Sequence, residues 1–130
     1  MRSIGCAVFL AVTRAIPSAA LAQTYPQRSI RVIVSFPPGG STDFIARVLA
    51  QHMPASIGQT IVIDNRGGAG GTLGTDIAAK ATPDGYTLLV TAEPPITIAG
   101  SVYAKLPYDP LRDIPAITEL INYPYLAVVN

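Results

Sequence analysis

Apolar positions along the chain fall into short β-branched runs separated by breaks rich in glycine and proline. Ile30 to Ser35 reads IRVIVS, a run of strand length with an apolar interior, and predicts a buried strand. Thr60 to Asp64 (TIVID) and Tyr86 to Thr91 (YTLLVT) predict a second and a third. Between the first two the period lengthens: Phe44, Ile45, Val48, Leu49 and Met53 recur at helical spacing. That helix follows the loop Phe36 to Asp43 (FPPGGSTD), in which Ser41 or Thr42 can cap it, and Gly58 ends the region beyond Pro54. After the second strand, Asn65 to Gly71 (NRGGAGG) leads into Thr72 to Ala81, a short helix with Leu73, Ile77 and Ala81 on one face. Pro83-Asp84-Gly85 is a turn, because proline presets φ and glycine accepts a positive one.

Strands that alternate with helices imply an α/β fold with a mostly parallel sheet, right-handed crossovers and flanking helices. Such sheets bind ligands outside the carboxyl ends of their strands. From Ala92 onward prolines thicken, so Glu93 to Ile114 reads as ordered loop with at most short helices. Ala116 to Leu120 and Tyr125 to Val129 are two further strand candidates around Tyr123-Pro124.

The amino-terminal segment changes the picture. Arg2, the apolar run Ile4 to Val12 and the small-x-small site Ala20-Leu21-Ala22 together read as a cleavable export signal over residues 1–22. The run is too short to span a bilayer, which takes about 20 apolar residues in a helix. Cys6, the only cysteine, falls within this segment. Removing it with Arg2 and Arg14 takes the basic residues from 9 to 7 against 8 acidic ones, a net charge of −1. That balance lacks the clustered lysine and arginine of a nucleic-acid binder. One cysteine and one histidine cannot supply the ligands of a structural zinc site, and no metal or cofactor is implied.

Two glycine loops each carry the chain from a strand end to a helix start, where unpaired N–H groups and a partial positive charge favour anions. Gly39 to Thr42 and Gly67 to Gly71 would converge at one sheet edge if the first two strands are neighbours. A carboxylate could be held there by the N–H groups of Gly40, Ser41 and Thr42 and a Ser41 or Thr42 hydroxyl; equally, the glycines could do no more than permit tight turns. Gly68-Ala69-Gly70-Gly71-Thr72-Leu73 lacks the last glycine of a dinucleotide fingerprint, and no P-loop lysine follows. His52, the only histidine, lies about ten residues along the helix from Ser41, roughly 15 Å, so no serine–histidine pair forms locally and catalysis is not implied. Asp43 suits the first helical turn as a structural cap. Asp109 and Asp113 flank Arg112 in the proline-rich stretch and read as a solvated or locally paired turn. Arg66 and Glu93 each follow a predicted strand and should reach the ligand edge. Arg66 could pair with an acidic ligand, Asp64 or Glu93, and Glu93 would repel a carboxylate but suit an ammonium group.

Four segments in order and spacing, FPPGGSTDFIAR (36–47), NRGGAGG (65–71), PDGYTLL (83–89) and LPYDPLRD (106–113), make the chain resemble the Bug-type periplasmic solute receptors of tripartite tricarboxylate transporters. The resemblance covers Tyr25 to Asn130. It implies a two-lobed periplasmic-binding-protein fold of type II. Residues 23–130 would be the first lobe, incomplete, and the second lobe, which should follow Asn130, is not in this sequence. It further implies a receptor that performs no chemistry, holds a di- or tricarboxylate or an amino acid, and delivers it to a membrane permease. By that likeness the ligand contacts fall on Pro38, Gly39, Gly40, Ser41, Thr42 and Asp43, on Gly68, Ala69, Gly70 and Gly71, and on Thr91 and Ala92. Gly67 stands where the family usually has proline, a departure expected to loosen the second loop. One lobe should bind weakly: micromolar affinity takes about −8.2 kcal/mol, and a helix start supplies roughly 0.3–1 kcal/mol, at most about 2. The competing reading is an exported, non-enzymatic interaction module or a fragment without ligand, which burial of the edge beside Tyr125 to Val129 in an oligomer would favour.

Overall fold

The computed structural model describes residues 25–122. Residues 1–22, read as an export signal, and the strand expected over Tyr125 to Val129 lie outside them. Three strands form one sheet: β1 (Ile30–Val34), β2 (Ile61–Asn65) and β3 (Thr87–Val90). Each lies within a residue or two of the run that predicted it. Their order is β2-β1-β3 and both pairings are parallel, with Ile30 opposite Ile61 and Arg31 opposite Thr87. The central strand is therefore β1, and the direction of winding reverses there.

The pleat of β1 sorts its side chains. Ile30, Val32 and Val34 face one layer, where they are buried with Ile61 and Ala46, and Ala50, Met53, Ile57, Ile63, Leu88 and Val90 pack around them. Each fully buried Val or Ile contributes about 1.5–3 kcal/mol, so this layer holds β1 in place. That layer is closed by α1 (Ser41–His52) and the one-turn α2 (Pro54–Ile57), which Gly58 ends in a left-handed conformation. The opposite face carries Ile33 and Ser35, both fully buried, and is covered by α3 (Thr72–Ala79). Two one-turn helices, α4 (Pro94–Thr97) and α5 (Ala99–Val102), follow β3, as short helices were expected there.

Four expectations are corrected. The cap of α1 is Gly40, with no side-chain capping bond from Ser41 or Thr42, because Ser41 is already the first helical residue. The inward stripe of α1 runs through Asp43, Ala46, Ala50 and Met53, while Phe44 is 68% exposed and Val48 lies outward beside it. On α3 the inward residues are Thr72, Gly74 and Thr75 rather than Leu73, which is 49% exposed. The cause is proximity: a Cβ added at Gly74 would lie 2.6 Å from Arg66 O and 2.7 Å from Ser35 Cα, so this face must be small. Finally, residues 116–120 form no strand; they are exposed and pair with no described strand, and an isolated strand has no ladder to stabilise it.

Candidate functional site

Because all three strands run in parallel, the loops after them leave at one edge of the sheet. The loop after β1 delivers the chain to α1, whose first two helical N–H groups, at Ser41 and Thr42, have no intrahelical acceptor. The loop after β3 begins at Thr91. Between them lies a cleft of about 590 Å³, lined by Ser41, Thr42 and Ile45 on one side and by Val90, Thr91, Ala92 and Glu93 on the other. Ile96 and Thr97 of α4 and residues 118–122 complete its wall. The cleft thus opens beside the central strand, at the edge where the loops after β1 and β3 leave the sheet.

Of the twelve positions expected to contact a ligand, Ser41, Thr42, Thr91 and Ala92 come together on this cleft. Pro38, Gly39 and Gly40 lie exposed in the loop leading to it. Asp43 is turned inward, 3% exposed, where its carboxylate accepts hydrogen bonds from Gly39 N (2.9 Å), Arg47 Nε (2.9 Å) and Asn65 Nδ2 (2.9 Å). Those donors hold its carboxyl well below the usual carboxylate range, with the Arg47 bond the largest influence. Asp43 therefore serves as the structural anchor of the first loop, and the N–H of Gly39 is committed to it.

The second glycine loop reaches the same edge, but it does not line the cleft with the first. A Cβ added at Gly71 would lie 2.6 Å from Pro95 Cγ and 3.0 Å from Phe36 Cζ, so these two side chains fill the space against it. Gly67 packs against Pro37, to which an added Cβ would come within 2.9 Å, so the two loops approach closely here. Gly68, Ala69 and Gly70 remain exposed, and the Tyr103 hydroxyl donates to Ala69 O at 3.2 Å from the far side. A single-turn 3₁₀ segment, Ala69–Gly71, joins this loop to α3.

Thr91 is positioned from beneath. Ser35, fully buried at the end of β1, places its hydroxyl 2.6 Å from Thr91 Oγ1. With Ser35 as donor, Thr91 turns its own proton to Ala92 O at 3.3 Å, a long contact that a solute oxygen in the cleft could replace. Sequence reading did not find Ser35, Ile45, Ile96 or Thr97 as site residues. The serine that follows the apolar run Val32–Val34 was the one available signal.

The cleft's charges are acidic. Glu93 and Glu119 line it, and among the described residues that line it none is basic. Arg66 is paired with Asp64 (Nε to Oδ1, 2.8 Å), which Arg31 also engages, so of the partners open to it, Arg66 takes Asp64. His52 bonds Val48 O on the outer side of α1. Asp113 accepts the N–H of Asp109 at 2.8 Å, closing the local turn expected there. Among the described residues no three metal-ligating side chains gather, and no helix is long and apolar enough to cross a membrane.

The chain is similar to known proteins. A family profile described as "Tripartite tricarboxylate transporter family receptor" matches residues 45–130. Protein BugT of Bordetella pertussis is 44% identical over 124 residues, which are 95% of this chain and 38% of BugT. A solved periplasmic transporter is 48% identical, with a TM-score of 0.65 over 68% of this chain and 30% of that one. MatC from Rhodopseudomonas palustris, solved with bound malate, is 42% identical, with a TM-score of 0.65 over 68% of this chain and 30% of MatC.

Proposed function

Since the chain belongs to the tripartite tricarboxylate transporter receptor family, we propose that it is a periplasmic receptor which holds a small carboxylate beside β1 and presents it to a membrane permease. Its parallel sheet and flanking helices form part of a periplasmic-binding-protein lobe of type II. Its role is that of a receptor, not an enzyme. The chain spans 38% of the length of BugT, so delivery to a permease is proposed for the whole receptor. Residues 1–22 would direct export and residues 23–130 would supply the first lobe.

One observation carries the reading: the start of a twelve-residue helix opens into a cleft whose facing wall is Thr91 and Ala92. There the N–H groups and hydroxyls of Ser41 and Thr42, with Thr91 Oγ1, can donate to a carboxylate, and the helix start adds partial positive charge. The malate bound in MatC is a solute of this class, which supports the same role for the cleft here. Pro38, Gly39 and Gly40 shape the approach, and Asp43 holds it. Gly68 to Gly71 lie at the same edge, apart from the cleft, and would meet a solute only across its mouth.

The experiment is an amide-shift titration of the isotopically labelled protein with citrate and with glutamate. Shifts concentrated at Gly40, Ser41, Thr42 and Thr91, saturating no tighter than about millimolar, are expected for one lobe whose donors are screened by water. Shifts scattered over the surface, or none at the cleft, would reject the proposal.

A further inference from the structure

Glu93 is an exposed carboxylate on the wall of the cleft, where a purely anionic solute would meet like charge. Its backbone begins α4, yet its side chain makes no capping bond to that helix. The carboxylate accepts only a long contact, 3.3 Å, from the Thr97 hydroxyl, which also bonds Glu93 O at 3.2 Å. Among the described residues no basic side chain forms an ion pair with it, since Arg66 and Arg31 serve Asp64 and Arg47 serves Asp43. Glu119 adds a second carboxylate to the wall.

The cleft therefore has two unlike sides. At Ser41 and Thr42 the start of α1 presents N–H donors and about half a positive charge. At Glu93 it presents a full negative charge with spare acceptor capacity. A dicarboxylate that docks one end at α1 brings its second carboxylate into an acidic wall, and like charges in such a contact oppose binding. A solute with a carboxylate and a protonated amine meets an opposite charge at both places.

We propose that Glu93 determines specificity in this cleft, selecting carboxylates that also carry an ammonium group. This rests on the receptor reading above and narrows it to amino-carboxylates. The carboxylate of the solute takes the Ser41 and Thr42 donors, the ammonium takes Glu93, and the Thr97 hydroxyl steadies the Glu93 side chain. An ammonium–carboxylate bond is charge-assisted and so stronger than a neutral one.

The test uses pairs that differ only by the amine, L-glutamate against glutarate and L-alanine against propionate, titrated into the labelled full chain while the Ser41, Thr42 and Thr91 amides are followed. The amine-bearing member should act at about tenfold lower concentration, the effect of one such charge pair. Glu93→Asp should keep the preference, Glu93→Gln should abolish it, and Glu93→Lys should turn it toward glutarate, a reversal that no purely structural role of Glu93 would give. Should glutarate match glutamate, or should the preference survive Glu93→Gln, the inference is overturned while the receptor reading stands. If none of the four compounds shifts a cleft amide, both fall together.

Discussion

Asn65, the last residue of β2, donates through Nδ2 to Asp43 Oδ1 at 2.9 Å, so the end of one strand grips the first turn of the helix that follows another. The same amide reaches Phe36 O at 3.2 Å, and Asp43 Oδ2 takes the N–H of Gly39. The loop from 36 to 40 is thereby fixed from three directions before any solute arrives. Preorganisation of this kind spares a binding site the cost of ordering its loop.

Asp43 should make stability fall with acid. Arg47 above all, then Gly39 and Asn65, lower its carboxyl pKa in the folded state, against desolvation, which raises it. A lowered folded-state pKa gives stabilisation that is complete above the unfolded value, about 3.9, and is lost as pH falls through the folded-state pKa. Asp43→Asn should be less stable than the parent by a constant margin near neutrality, and urea denaturation should show that margin narrowing below about pH 4. A margin that holds steady through that range would remove the carboxylate as its source.

Gly74→Ala should destabilise, against the ordinary trend. Alanine in a helix is usually better than glycine by roughly 0.5–1 kcal/mol. Here the new methyl would meet backbone at Arg66 O (2.6 Å) and Ser35 Cα (2.7 Å), neither of which can swing aside. Overpacking typically costs about 1–3 kcal/mol, which wins. Gly100→Ala in α5 is the control, because nothing lies within 4 Å of its added Cβ; its thermal midpoint should stay level or rise.

The same contact explains what could be read from the sequence. The strands were legible because IRVIV, IVID and TLLV are β-branched and apolar whichever way they pair, and their alternation with helices implied parallel order. Which side of a helix turns inward was not legible. Periodicity favours Phe44 with Val48, and Leu73 with Ile77, but α3 lies so near β1 that only Gly74, Thr72 and Thr75 fit beneath it. On α1 the donors around Asp43 satisfy a buried carboxylate, and Ala46 follows it inward. The glycine loops were visible as loops. That Phe36, Pro37 and Pro95 would fill the ground beside Gly67 and Gly71 depended on distances no local pattern encodes.

Ser35→Ala should weaken solute binding although Ser35 does not line the cleft. It removes the partner 2.6 Å from Thr91 Oγ1 and frees that hydroxyl to turn. The stability cost should be about 1 kcal/mol, that of one buried hydrogen bond. Thr91→Val keeps the shape and removes the donor, so it should weaken glutamate binding at least as much. Thermal melts and the amide titration measure the two effects separately, and unchanged binding in both variants would show that Thr91 Oγ1 takes no part.

Arg28→Ala should loosen the start of β1 in a salt-dependent way. Its guanidinium bonds Asp84 at 2.7 Å and lies 4.3 Å from the Tyr86 ring centroid, beside the Tyr25 hydroxyl's bond to Gly85 O. The ion pair is exposed, so melts should show a small loss that shrinks as salt is added. Arg28→Lys should keep the ion pair and lose the planar stack, giving an intermediate value. Equal melting of all three proteins at low salt would count against the clasp.

The middle position of β1 carries a kinetic consequence. Of the described strands it is the first to leave the ribosome and the one both others pair with, and its contact with the third, Ser35 to Thr91, spans 56 residues. Closing so distant a pairing is slow because the intervening chain must surrender its freedom first. Until Val90 has emerged, Ile33 has an unclaimed flank, and that waiting interval is when a nascent copy would be open to capture by a chaperone.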